Sequence, residues 1–474
     1  MTEIHDLTVT ELATAIRRRE LSPVQITAHY LDRMERLNAT VGAFYTVTAE
    51  LARDQAAAAE KAVARADEPA ALPPLTGVPI PIKDLNMVAG VRQTLGSAVF
   101  ADNVPDTDDY VTAQLRAAGA VITGKTATPE FGLPCYTETA VGPPARTPWD
   151  LNRSAGGSSG GAAAAVAAGL APAAQGSDGG GSIRIPSSVC GLFGIKPTRG
   201  RISSAPLVPD LFGLGIDGPI ARTVADAALL LDVMSGNLPG DMYTQPPLPP
   251  GESFLGYAGR PPGRLRIGRI LSHPVGDGTV HPDCAVAYQD ASELLASLGH
   301  EVVDLDMPFG ADAVPPFEAL WYAHATLVPV DPAREHQLLP FTRYMREQGR
   351  QVTAEQLVGA QAYLQFVVRG ALAVLNGYDA VLTPTLAAPP VPVGYFEEVS
   401  PPANFERQKH FTPFTPLFNV SGQPAVSVPL HWNPAGLPIG VMLAGRMGEE
   451  GTLISLSAQL ESARPWKDRH PQLW

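Results

Sequence analysis

This chain of 474 residues is poor in several things, and each scarcity excludes a class of protein. It holds only three cysteines, Cys135, Cys190 and Cys284, an odd and scattered set that fits neither a disulfide framework nor a zinc site. Positive charge is scarce: 34 Lys and Arg stand against 47 Asp and Glu, a formal net charge of −13. That balance argues against nucleic acid or an anionic membrane as the main partner. The longest run of small apolar residues, 161–174, is too short and too lacking in large side chains to span a bilayer. The opening stretch MTEIHDLTVTELATAIRRRE is charged and has no apolar segment of signal-peptide type. The expectation is a cytoplasmic, globular protein with no membrane or nucleic-acid partner, as a monomer or homodimer.

What is present suits a large core: 45% hydrophobic and 17% charged residues, with no need of metal or disulfide staples. Apolar residues recur at helical spacing over 8–37, with SPVQ as a helix start inside it, and again over 51–67, 111–118 and 224–234. Segments 120–124, 192–196, 216–220, 379–385 and 425–430 read as strands. LRIGRI, an amphipathic stretch at 281–298 and HEVVDLD form a strand–helix–strand unit, which favours a largely parallel sheet covered by helices. The expected class is α/β, in one domain over 1–474. Within it, 1–70 is helical, 71–237 carries the motifs, 238–262 is a Pro/Gly-rich excursion, and 263–474 completes the same sheet. Residues 313–374 read as helical and dotted with aromatics.

The centre of the chain holds two glycine-flanked serines, in SAGGSSGG (154–161) and GSDGGGSIRIP (176–186). A serine hydroxyl is a poor nucleophile without a nearby base, and no histidine lies near Ser182 in sequence: the neighbours are His29 and His273. A flexible linker would not run straight into AAAAVAAG, a good helix former. A phosphate-binding loop would need a lysine and a hydroxyl where Gly161 and Ala162 stand. Residues 156–160 satisfy the G-x-S-x-G nucleophile elbow of α/β-hydrolases, which would bring in a downstream histidine. The segment before it, PWDLNRSA, is not strand-like as an elbow requires. The remaining base is Lys83, at the end of the apolar segment LTGVPIPIKDL. A lysine can serve when burial disfavours its ammonium form; the bland alternative is a solvated lysine at a strand end.

GVPIPIKDL, GKTATPEFG, PWDLNRSAGGSSGGAAAAVAAG and GSDGGGSIRIPSSVCGLFGIKPTRGRIS together resemble the amidase signature family, and GPIARTVADAALLLDVMSG and FNVSGQPAVSVPL extend the match over nearly the whole chain. Within the family the chain is most similar to 6-aminohexanoate cyclic-dimer hydrolase-like bacterial amidases, through SVCGLFGIKPTRGRIS, HPVGDGTVHPDC and ARPWKDRHPQL.

The resemblance implies a fold with a large mixed, mainly parallel twisted sheet, helices on both sides, and a Ser–cis-Ser–Lys triad. In it Ser182 is the nucleophile, Ser158, held by a cis peptide, relays the proton, and neutral Lys83 is the base. It further implies an oxyanion hole at Gly179, Gly180, Gly181 and Ser182, with Asp178, Arg184 and Ser159 in support. No metal or organic cofactor is called for. The family commonly has threonine where Gly179 stands, which points to altered substrate preference. Leu133, Cys135, Tyr136, Leu207 and Phe212 are expected to line an apolar pocket, with 203–217 as a wall or lid. Cys190 reads as a core residue.

The expected substrate is a small hydrophobic or aryl amide, with nylon-type oligomers, esters and carbamates open to the same chemistry. The alternatives are a Ser-His-Asp esterase and a glutamine-dependent amidotransferase subunit.

Overall fold

A computed structural model describes residues 3–206, 211–276 and 278–474. Two N-terminal helices, Val9–Arg17 and Pro23–Val41, begin at Thr8 and Ser22, each the first residue of a capping box. They bury Leu12, Ile16, Ile26, Tyr30 and Met34.

A small sheet follows, made of β1 (Phe44–Val47), β2 (Ile82–Lys83) and β3 (Gly124–Thr126), in the order β1-β3-β2. Strand β2 runs parallel to β3, with Ile82 opposite Lys125 and Lys83 opposite Thr126.

The large sheet holds β4 (Ala173–Asp178), β5 (Phe193–Lys196), β6 (Ile216–Ala221), β7 (Arg266–Arg269), β8 (Glu301–Asp304), β9 (Ala380–Pro384), β10 (Ala425–Trp432) and β11 (Pro438–Gly445). Their order is β4-β6-β5-β10-β11-β9-β7-β8, and helices flank the sheet. The expectation of a mainly parallel sheet is corrected. Only β7–β8 and β7–β9 pair parallel, whereas β4–β6, β5–β6, β5–β10, β10–β11 and β9–β11 are antiparallel. The strand–helix–strand unit at 266–304 is real but sits at one edge. The centre is built on β10–β11, whose second strand the sequence reading passed over.

Two further expectations shift. The Pro/Gly-rich stretch 238–262 contains the helix Phe254–Ala258, whose Phe254 is buried. The amides of Phe254 and Leu255 donate to Asp232 at 2.6 and 2.9 Å. In addition, by length and composition alone, one helix among the described residues, Ala354–Leu375, is apolar enough to cross a membrane, which the reading of the short 161–174 run had not anticipated. It packs against helix Val314–His324 through Leu364 and Leu320.

Candidate active site

Lys83 ends β2 and is wholly buried. Successive side chains of a strand point to opposite faces, so Lys83 and Asp84 part company. Asp84 reaches Lys125, which pairs in register with Ile82 on its own face, at 3.1 Å. Lys83 turns the other way and, among the described residues, has no carboxylate in ion-pair range. Its Nζ lies 2.8 Å from Ser158 Oγ, 3.0 Å from Ser177 Oγ and 3.2 Å from the Ser177 carbonyl. Burial lowers its ammonium from 10.5 to about 7, against the opposing pull of Asp217 and Asp178. The Lys83 amide donates to Gln175 Oε1 at 2.8 Å, and Gln175 Nε2 donates in turn to Asp217 Oδ1 at 2.8 Å. Asp217 is itself raised to about 7 by burial and by the charge of Asp109.

Ser158 precedes the helix Gly160–Ala167, every residue of which is buried. The run of glycine and alanine lets this helix lie against the backbone of the small sheet. A Cβ on Gly161 would stand 2.3 Å from the Ala127 nitrogen and 2.5 Å from the Ala43 carbonyl oxygen. The Gly157–Ser158 peptide is cis. Ser159 ties this turn to the next motif: its hydroxyl donates to the Ser177 carbonyl at 3.1 Å and accepts from the Ser177 amide at 3.2 Å. Its amide donates to the Ser182 carbonyl at 3.2 Å.

Ser182 follows the glycine turn after β4. Asp178, the last residue of that strand, organises the turn: its Oδ1 accepts from the Gly181 amide at 2.7 Å and its Oδ2 from the Ile183 amide at 3.1 Å. Arg184 closes a two-toothed pair on the same carboxylate at 2.9 Å for each contact, with both side chains fully buried. Burial alone would raise the Asp178 carboxyl, but the Arg184 guanidinium outweighs it and holds it well below the usual range.

The C-terminal segment completes the frame. Asn419 Nδ2 donates to Asp178 Oδ1 at 2.9 Å and to the Asp178 carbonyl at 3.1 Å, and Thr415 Oγ1 donates to the Gly180 carbonyl at 2.7 Å. Gly181 has φ of +132°, and a Cβ there would strike Thr415 Oγ1 at 2.3 Å, so only glycine fits.

These contacts correct one expectation. The Gly181 amide donates to Asp178 and is not free to meet an oxyanion, so of the expected set only Gly179, Gly180 and Ser182 stay candidates. The Ser182 hydroxyl makes no hydrogen bond to any described residue and opens into a cavity.

Leu133 and Cys135 line that cavity as expected, joined by Phe317, Trp321 and Leu364 from the aromatic helices. Tyr136 does not: its ring stacks on Phe396 at 4.8 Å and its hydroxyl accepts from Asn404 at 2.8 Å, which makes it part of the core. Phe212 packs with Leu320, Ala360 and Leu364 and is absent from the lining. Leu207, like the rest of 207–210, lies outside the described residues, so the lid reading of 203–217 has no structural account. Cys190 is buried and its thiol is pushed up to about 12 by burial, in keeping with a core residue. Among the described residues no histidine is hydrogen-bonded to Ser158 or Ser182.

Gln175, Ser177, Asp217, Thr415 and Asn419 were missed as site residues. Ser177 and Asn419 sit inside motifs already singled out, GSDGGGS and FNVSGQP, and Asp217 immediately precedes GPIARTV.

A family model described as amidase matches residues 25–454. The chain is 37% identical over 478 residues to a 6-aminohexanoate-cyclic-dimer hydrolase of Paenarthrobacter ureafaciens, covering 94% of each protein. Its fold superposes on a solved structure of 6-aminohexanoate cyclic dimer hydrolase with a TM-score of 0.90, at 33% identity and 100% coverage of both chains. A bacterial aryl acylamidase of the amidase signature enzymes gives a TM-score of 0.87 at 26% identity, covering 98% of each chain.

Proposed function

The chain belongs to the amidase signature family and is by that membership an amide hydrolase, and from this premise we propose that it cleaves small hydrophobic or aryl amides through Ser182, Ser158 and Lys83. The observation that carries the reading is the 2.8 Å contact between Lys83 Nζ and Ser158 Oγ in a fully buried corner. There the amine, lowered to about 7, is largely neutral in mildly alkaline solution and able to accept a proton.

In this reading Ser182 Oγ attacks the carbonyl carbon while its proton passes to Ser158 Oγ, whose own proton passes to Lys83 Nζ. The amides of Gly179, Gly180 and Ser182 receive the developing oxyanion. Donors preorganised in this way are worth about 3–4 kcal/mol each. The tetrahedral adduct collapses, the C–N bond breaks, and the proton returns through Ser158 to the departing amine. Water, activated by the same relay, then releases the acid. Asp178, Arg184, Asn419 and Thr415 hold the loop in this shape and touch no substrate. Esters, carbamates and nylon-type oligomers pass through the same tetrahedral oxyanion and belong to the expected range.

The test is mass-spectrometric mapping after treatment with a serine-reactive phosphonate. The expected adduct is on Ser182 and is lost in Lys83→Ala. An adduct on Ser158, or an undiminished Ser182 adduct in Lys83→Ala, overturns the assignment. A panel of aryl amides, aminohexanoate oligomers and aryl carbamates, none of them cleaved, would overturn the substrate class.

A further inference from the structure

The glycine turn before Ser182 has an unusual neighbour. Helix Val314–His324 carries Trp321 against it: a Cβ built on Gly179 would stand 3.3 Å from Cη2 and 3.5 Å from Cζ3 of the indole, and one on Gly180 would stand 3.9 Å from Cη2. The indole thus occupies the place into which a side chain at position 179 would project. It is held there from both sides along the same helix face. Phe317 stacks on it at 5.8 Å and 16°, and His324 at 5.6 Å and 11°, with desolvation disfavouring the protonated form of His324. The three nearly parallel rings fix the indole as a flat plate beside the loop that carries Ser182, and Trp321 and Ser182 line the same cavity.

The rest of that wall offers a ligand little polarity. Leu133, Leu364 and Val420 are apolar. The Gln408 carboxamide is consumed by the Cys135 amide and by Asn404, and the Lys409 ammonium by Glu318 and Glu406. A ligand group placed here meets an aromatic face and hydrocarbon, a setting that favours planar apolar groups.

We propose that Gly179 and Trp321 act as a single specificity element: the missing side chain at 179 lets the indole lie on the nucleophile loop, and the indole face selects substrates that carry an aryl ring next to the scissile bond. This inference rests on Ser182 being the nucleophile and adds the group that the site prefers. It makes the two positions interdependent. A larger residue at 179 displaces the plate, and loss of the plate removes the reason for glycine.

The probes are benzamide and acetanilide, which carry the ring on opposite sides of the amide, and propionamide as the small aliphatic reference. The readout is the ratio of kcat/KM for aryl over aliphatic substrate, which a general loss of catalytic competence does not move. Trp321→Ala is expected to lower this ratio roughly tenfold for at least one aryl probe, and the affected probe identifies the side on which the ring sits. Gly179→Thr should lower the same ratio to a similar degree. Gly179→Ala, whose Cβ meets the indole in a contact only slightly tight, should fall between it and the wild type. In the Trp321→Ala background, Gly179→Thr should lower the ratio no further.

Ratios that stay at the wild-type value, or effects of Gly179→Thr and Trp321→Ala that multiply independently, overturn the proposal. So does a wild-type enzyme that labels on Ser182 yet prefers propionamide to both aryl amides. Absence of phosphonate labelling on Ser182 strikes the mechanistic reading instead, so the two failures are told apart.

Discussion

Lys83 and Lys125 stand on neighbouring parallel strands, both fully buried, yet one has a carboxylate and the other has hydroxyls. Lys125 meets Asp84 at 3.1 Å, and Asp84 is held in place by the amide and hydroxyl of Thr94. Around Lys83 the acceptors are Ser158, the Ser177 hydroxyl and the Ser177 carbonyl, all neutral. Burial lowers both ammonium groups, and Asp84 works against it at Lys125. Burial is thus common to both lysines and does not by itself single out Lys83 as the proposed base. What matters is which face of the strand its side chain takes, and whether an anion waits there. The alternation of β2 gives Asp84 to Lys125 and withholds it from Lys83.

The contrast is broken most severely by replacing each lysine with methionine. Lys83→Met should reduce turnover by at least about 10³-fold in steady-state assays, since a general base and its relay are lost together. The same change should raise the melting temperature. Lys83 titrates at about 7 in the folded chain and at 10.5 when unfolded, so between these values the unfolded chain binds more protons and folding stability climbs with pH. The methionine variant lacks this penalty, and its advantage in a thermal melt should be greatest at pH 7 and below and fade toward pH 10.5. A variant that melts below wild type across the range would contradict the picture.

Lys125→Met should move stability the other way. It leaves Asp84 buried without its cation, at a cost of about 3–5 kcal/mol, readable in urea titration. Equal stability changes for the two methionine variants would erase the distinction between the lysines.

A smaller effect sharpens the electrostatics. The acid limb of kcat/KM should fall near pH 7, with activity lost as pH drops and Lys83 gains its proton. Asp217 pulls the Lys83 value upward, so Asp217→Asn should shift that limb to lower pH; an unmoved limb would show that the charge of Asp217 does not reach the amine. Smallest of all, Ser177→Ala removes one of three acceptors around Nζ. It should cost about 0.5–1.5 kcal/mol of transition-state stabilisation, a few-fold in kcat/KM.

Much of this corner was legible in the chain itself, because glycine and serine motifs leave little freedom. The run GGAAAAVA can bury a helix against backbone as no bulkier sequence could, whereas Lys83 at the end of an apolar segment could equally have been solvated, and only the surrounding motifs favoured its burial. Distant partners were not legible. Nothing local to Thr415 or Asn419 announces a contact with Asp178 or Gly180, since the pairing depends on where β10 enters the sheet. Tyr136 and Phe212 look like pocket residues by type and neighbourhood, yet a ring stacks equally well in a core, and only the packing of Phe396 and Leu320 decides. The strand order failed for a similar reason: the parallel unit at 266–304 has a clear signature, whereas the all-buried β11 has no alternation to betray it.

The frame around Asp178 also joins parts of the chain that are made far apart in time. Lys83, Ser158 and Ser182 leave the ribosome early, while the groups that grip the loop, Thr415 and Asn419, follow 235 and 241 residues behind the atoms they hold. A nascent chain halted before position 415 carries all three proposed catalytic residues with the Gly180 carbonyl and the Asp178 carboxylate still lacking these partners. The hydrogen-bonded frame of the loop is therefore complete only once residues 415–419 are in place.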